Sequence, residues 1–282
     1  MISTRVAKHL FGENLYFGHR AIGDLLGDES ITGLVAMGVS GRRATREQRR
    51  VLDDLAVICN SADPRIWPLK LTRLVGSYGG TVAAFCAGQL AVEGERIGYW
   101  ITGYAAQGLA ELRAAVGNRI DDAEAVEAEV RAFVARRGRV TGFGAPLRPS
   151  DERMDALRRY VRGTPFERGV HWRLQEALAA LVEGKKGIPR NIGLGLAAVM
   201  LDLGYTSAEI SPLAHFITEN VYVANACEAA AQRSPEMQRV PDEHVVYAGP
   251  PRRESPRALA KKARRAPRVG YSEEGRPFAY AP

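Results

Sequence analysis

Few side chains in this sequence stand at spacings that suggest chemistry. His215 and Glu219 are four residues apart in "LAHFITENVYVANACEAA". On one helix that spacing puts an imidazole and a carboxylate on the same face, where they can pair. Thr218 and Asn225 belong to the same stretch and read as part of the same helix. Asp63 and Arg65 in "ADPRIWP" offer a carboxylate beside a cation, and the two prolines also let the segment read simply as a turn. In "RRGRVTGFGAPLRPSDERMDALRRY", Gly142 and Gly144 flank Phe143 and lead into Ala145, with Arg136, Arg137, Arg139, Arg148 and Arg153 around them. Glycine lets a backbone approach a ligand closely, and exposed N–H groups beside guanidinium forks suit phosphates. The same arginines also read as the solvated charges of a helix surface.

Other chemistries find no support. Cys59, Cys86 and Cys227 are widely spaced with no CxxC, which argues against a disulfide framework and a thiolate zinc site and makes them small apolar residues. There is no GxxxxGK[ST], HExxH or GxSxG, and "GLGLAA" follows no strand, so it is not a dinucleotide fingerprint. No metal is expected. The net charge of +7 is concentrated in "PPRRESPRALAKKARRAPRVGYSEEGR". Such a tail-heavy distribution reads as a solvated extension, a subunit-wrapping arm or an anion-binding segment, and nucleic acid is not an expected partner. No apolar run approaches a membrane span, and "MISTRVAKHLFGENLYFGHR" lacks the apolar core of a secretory signal, so a cytoplasmic protein is expected.

The elements that must hold these residues read as helices. Apolar residues recur at three- and four-residue spacing in nearly every segment, many segments end in Gly, and several begin after Thr, Ser or Asp. No sustained β alternation is visible. The expected fold is all-α, with Ala- and Gly-rich stretches such as "YGGTVAAFCAGQLA" and "NIGLGLAAVM" forming closely packed, buried helices.

The order of "GHRAIGDLLGDESITGLVAMGVSGRRATREQ", "LTRLVGSYGGTVAAFCAGQLAVEG", "VTGFGAPL", "IPRNIGLGLAAVMLDLGYTSAEISPLAHFI" and "RVPDEHVVYAGP" resembles the citrate synthase and citryl-CoA lyase superfamily. The resemblance implies an all-α homodimer whose large and small domains close over an acyl-CoA and an oxo acid. It implies a boundary with 1–103 and 192–250 as the large domain, 104–191 as the small one, and 251–282 as a basic extension. In that family one His stabilises the enolate, an Asp takes the α-proton and a second His holds the oxo-acid carbonyl.

Those positions are altered in this sequence. Ala145 stands where the family's Gly-Phe-Gly turn presents its His, and Gly193, after Asn191 and Ile192, stands where it presents its Asp. The second His motif falls on "TGYAAQ", where neither Gly103 nor Tyr104 is a His. Thr218 takes the place of a carboxylate-binding Arg, an upstream His falls near Asp63, and Arg239 resembles an Arg that reaches the partner subunit's site. The resemblance therefore implies coenzyme A or acyl-CoA bound by Gly142, Phe143, Gly144, Ala145, Arg139 and Arg148. A carboxylic or oxo acid would meet Thr218, Asn225, Arg239 and Gly193. Replacement chemistry would fall to Tyr104, His215, Glu219, Asp63 and Asn191. The expected function is a divergent acyl-CoA enzyme making or breaking a C–C or thioester bond. The alternative is a non-catalytic homologue that binds a ligand or pairs with an active paralogue.

Overall fold

The computed structural model describes residues 1–10, 12–60, 63–93, 98–145, 149–232, 242–250 and 255–257, less the Lys186 side chain. Arg148, Arg239 and most of the basic extension lie outside this set. Contacts divide the chain into two units, Met1–Met237 and Gln238–Pro282; the second contributes one 3-10 turn, Asp242–His244, among its described residues.

The first unit opens with strands that the sequence pattern does not reveal. β1 (Ala7–Leu10), β2 (Glu13–Tyr16) and β3 (His19–Arg20) form an antiparallel sheet in that order. Tyr16 pairs with His19, so Phe17 and Gly18 make a two-residue hairpin loop with both φ angles positive. Strands of four and two residues are too short for alternation to register.

The remaining elements are helical, and their caps are written in the sequence. Ser30 caps α1 (Ile31–Ser40), and a Thr45/Gln48 capping box opens α2 (Arg46–Cys59). α3 (Trp67–Gly76) carries Pro68 in its first turn, and α4 (Thr81–Val92) follows. Next come α5 (Trp100–Val116), α6 (Ala123–Arg137) capped by Asp122, and α7 (Glu152–Val161) capped by Asp151. α8 (Val170–Lys186), α9 (Ile192–Asp202), α10 (Ser207–Phe216) with a Thr206/Glu209 capping box, and α11 (Asn220–Gln232) complete the unit. Among the described residues no helix is long and apolar enough to cross a membrane.

α9 is the centre of this arrangement. Every residue from Ile192 to Met200 is buried, and its neighbours α5, α7, α8 and α10 all contribute to one apolar core. A Cβ on Gly195 would come within 2.6 Å of Leu157 and 2.7 Å of Met154, so the glycine lets α7 lie directly on α9. α3, α4 and α11 pack on one another around a smaller cluster, Leu69, Val92, Val221 and Tyr222. The segment before α1 is pinned to α2 by Glu29, whose side chain is 2% exposed and accepts from Arg43 Nε at 2.9 Å and Arg49 Nη1 at 3.1 Å.

The end of α9 also completes the start of α8. Gly169 at the N-cap of α8 has no side chain to offer, and Asp202 takes its place from across the core. Its Oδ1 accepts from His171 N at 3.0 Å and lies 2.8 Å from His171 Nδ1, while Oδ2 accepts from Trp172 N at 3.0 Å. Asp202→Ala should therefore cost about 1–2 kcal/mol, the scale of a lost helix cap. Urea denaturation monitored by circular dichroism should show the lower midpoint with an unchanged slope.

Candidate functional site

The Gly-Phe-Gly turn lies against the residues that lead into α9. Phe143 and Arg190 form an antiparallel bridge, Asn191 N donates to Gly142 O at 2.9 Å, and Gly144 N donates to Pro189 O at 2.7 Å. The Asn191 side chain closes the junction. Its Nδ2 donates to Gly144 O at 3.0 Å, and its Oδ1 accepts from Gly193 N at 3.0 Å as the N-cap of α9. Arg190 anchors the segment to α8 by pairing with Glu176 at 2.8 Å and Glu183 at 2.9 Å.

Gly142 has φ +96°, and a Cβ there would lie 2.8 Å from the Leu194 Cβ. The close approach that its sequence suggested is thus to α9 itself. Likewise both functions of the Asn191 amide are engaged within the protein, which leaves that side chain a positioning role.

A second acceptor serves the same helix end. Asp151 Oδ2 accepts from Ile192 N at 2.9 Å. Arg153 grips the same carboxylate through Nε and Nη2, both at 2.9 Å. Burial would push the Asp151 carboxyl up, but the Arg153 hydrogen bonds and charge, with the Ile192 amide, outweigh it and hold it below the usual carboxylate range. Nη1 of Arg153 takes no partner among the described residues. This guanidinium lies close enough to Cys59 and Tyr99 for its charge to act on both.

Tyr99 sits where α5 begins. Its hydroxyl lies 2.5 Å from that of Thr218, which is also 3.0 Å from the Ala214 and His215 carbonyls, and its ring meets His215 edge-on at 5.0 Å. Burial pushes the Tyr99 phenol and the Cys59 thiol each up to about 12, so neither ionises near neutral pH. One turn further along α5, Thr102 reaches Gly193: its Oγ1 is 3.3 Å from where a Gly193 Cβ would stand, and Asn191 Oδ1 is 3.1 Å from the same point.

The structure thus gathers Gly142, Phe143, Gly144, Ala145, Asn191 and Gly193 at one junction, with Thr218 linked to Tyr99 on the neighbouring helix. The pairing of His215 with Glu219 on one helix face is corrected. α10 ends at Phe216 and α11 begins at Asn220, so His215 closes one helix while Thr218 and Glu219 lie in the turn and Asn225 lies on the next helix. Across this break the Thr218 hydroxyl bonds back to the carbonyls of Ala214 and His215. Burial lowers the His215 imidazole from its ordinary value and raises the Glu219 carboxyl.

The other expected residues are placed elsewhere. Asn225 joins α11 to α3, accepting from Arg73 at 3.4 Å and donating to Val221 O at 2.9 Å. Asp63 pairs with Arg65 in the turn before α3. Tyr104 is half-exposed, edge-on to Trp100 at 5.2 Å. Arg139 is exposed, while Arg137 is tied to Glu111 and covers the Phe133 ring.

Thr102, Asp151 and Tyr99 were not singled out from the sequence. Asp151 carried a signal, since Asp at the start of an apolar-periodic stretch is an N-cap signature. Among the described residues no group of three or more His, Cys, Asp or Glu could hold a metal ion. The groove of about 570 Å³ between α6 and α8, floored by Val126, Val130 and Leu181, contains none of the site residues.

This architecture has known counterparts. Citryl-CoA lyase from Hydrogenobacter thermophilus matches with a TM-score of 0.75 at 22% identity, over 92% of this chain and 99% of that one. The chain has the fold of citryl-CoA lyase and citrate synthase. ATP citrate lyase from Methanothrix soehngenii, solved with citrate and coenzyme A, matches with a TM-score of 0.71 at 17% identity, over 88% of this chain and 42% of that one. Citrate synthase from Thermoplasma acidophilum, in a ternary complex with carboxymethyl coenzyme A and oxaloacetate, gives 0.54 at 16%, over 81% and 59%. No protein-family model and no curated protein sequence matches the chain. The all-α citrate synthase-like architecture expected from the sequence is present, with the short N-terminal sheet as an addition.

The depressed Asp151 pKa sets a direction for stability against pH. A carboxyl that is more acidic folded than unfolded contributes above its unfolded value, near 4, and that contribution is lost as pH falls through the folded value. Asp151→Asn should cost about 2 kcal/mol at pH 7. The gap between wild type and variant should narrow as denaturation is repeated from pH 6 down to pH 3.

Proposed function

We propose that this chain binds a coenzyme A thioester together with a carboxylic or oxo acid and makes or breaks a C–C or thioester bond in a non-standard site. The observation that carries this reading is Arg153. Asp151 holds one edge of its guanidinium fork and leaves Nη1 to meet a ligand carboxylate beside the Gly-Phe-Gly turn. The shared fold with proteins solved with coenzyme A and citrate supports the ligand class. The phosphates would lie towards Arg139.

Ala145 and Gly193 supply neither imidazole nor carboxylate, so proton transfer falls to a group further out. His215 is the titratable candidate that the geometry ties to the site, through its contact with Tyr99. Its lowered pKa keeps the ring neutral near pH 7, the form that accepts a proton. A second reading, a ligand-binding homologue without turnover, is favoured by the uncharged Thr102, Ala145 and Gly193.

Calorimetry with acetyl-CoA and with citrate, followed by thiol-release assays on acyl-CoA and oxo-acid pairs, separates the two. Binding with turnover supports the enzyme, binding alone the second reading, and no binding at millimolar ligand removes both. Arg153→Gln should weaken binding of the carboxylate ligand by about tenfold to a hundredfold, the scale of one charged hydrogen-bonded contact.

The protein is further proposed to act as a cytoplasmic homodimer. α4 carries no charged residue, and its Val82 and Leu90 are 76% and 79% exposed. They form an apolar face next to α11, which exposes Val223 and Cys227. Leu90→Arg should convert a sedimenting dimer to monomer. A wild-type monomer at micromolar concentration would instead direct the search to a paralogous partner.

A further inference from the structure

Two packed helices leave a trough between them where one of them offers short side chains, and α6 and α8 do so. Their starts are tied together by Arg173, whose Nη1 donates to Asp121 at 2.7 Å and whose Nη2 donates to Ile120 O at 2.8 Å. From that tie the trough of about 570 Å³ is lined on α8 from Arg173 to Lys185. At 1.5 Å per helical residue that is a length of about 18 Å. Val126, Val130 and Leu181 make its floor apolar, and Ala177, Ala180 and Gly184 keep the α8 wall low. A Cβ on Gly184 would meet nothing within 4 Å, so the trough is open at that end.

The charges around the trough do not cancel. Asp121 is matched by Arg173, and Glu127 by Arg131 one turn along α6. Lys185 has no ion-pair partner among the described residues, and it stands at the end away from the Arg173 tie. We infer that this trough binds a small amphiphilic anion, an unbranched acyl carboxylate, with its chain along Val126, Val130 and Leu181 and its head group at Lys185. The space has the volume of a small-molecule site. It is drawn out along two helices, which suits an extended chain, and its unmatched charge is a cation, which suits a single anionic head. None of the residues of the Gly-Phe-Gly junction lines it, so the inference does not rest on the thioester reading.

The test titrates the full chain by calorimetry with decanoate and with decyltrimethylammonium, which has the same chain and the opposite charge, both kept below micelle formation. Wild type should bind one decanoate and prefer it to the cation. Gly184→Leu puts a side chain into the open end of the trough; it should weaken decanoate by about tenfold, the scale of two displaced methylenes. Because leucine is the better helix former, the same variant should keep or raise Tm, which separates a filled trough from a damaged fold. Lys185→Glu should reverse the preference between the two amphiphiles, each losing or gaining by about three- to fivefold, as for an exposed ion pair. Absence of decanoate binding to wild type overturns the inference, as does unchanged affinity in Gly184→Leu. An unaltered preference in Lys185→Glu also overturns it, since the head group would then lie elsewhere. Displacement of decanoate by acetyl-CoA would place the chain in the other cleft and overturn it too. If Gly184→Leu shifts the sedimentation coefficient and leaves decanoate binding intact, the trough is a contact between protein chains and the inference falls.

Discussion

A helix buried from its first residue cannot leave its first amides to water, and that constraint on α9 organises the rest of the site. From Ile192 to Met200 every residue is buried. The amides of Ile192 and Gly193 must therefore be satisfied by protein, and they are, by Asp151 from the start of α7 and by Asn191 from the preceding residue. Each acceptor brings a segment with it. Asn191 carries the Gly-Phe-Gly turn through its second hydrogen bond to Gly144, and Asp151 carries Arg153. The other end of α9 obeys the same logic in reverse, with Asp202 supplying the cap that α8 lacks.

Satisfying those amides uses up groups that look reactive. The Asn191 side chain is engaged at both its oxygen and its nitrogen, and the glycine at 142 is required by a left-handed φ and by contact with Leu194. The turn is thus held by packing, and Ala145 after it is compatible with an intact Gly-Phe-Gly. What remains is narrower: an arginine whose Nη1 has no partner among the described residues, a buried threonine hydroxyl, and a phenol and thiol that burial keeps protonated.

The electrostatic layout is also segregated. Arg153 and Asp151 lie on the α7 side of the α9 N-terminus, while the α5 side presents Thr102 and Ile101.

The helical class, most helix starts and the identity of the fold were legible in the sequence, because they depend on local caps, on apolar spacing and on the order of segments. The Gly142 to Gly144 turn and the Asn191 motif could likewise be brought into one site from their place in that order. Tertiary structure alone decided the pairings. His215 and Glu219 keep helical spacing in the sequence, yet α10 ends at Phe216 and α11 begins at Asn220, so a helix boundary falls between them. Tyr104 and Thr102 are two residues apart on α5, and only the direction from which α9 packs determines that Thr102 meets Gly193 while Tyr104 lies against Trp100. Arg153 was one of five arginines around a turn until Asp151, fixed by the amide it must satisfy, selected it. Local preference extends over a few residues, whereas the choice of partner for a buried polar group depends on what the folded chain places within about 3 Å of it.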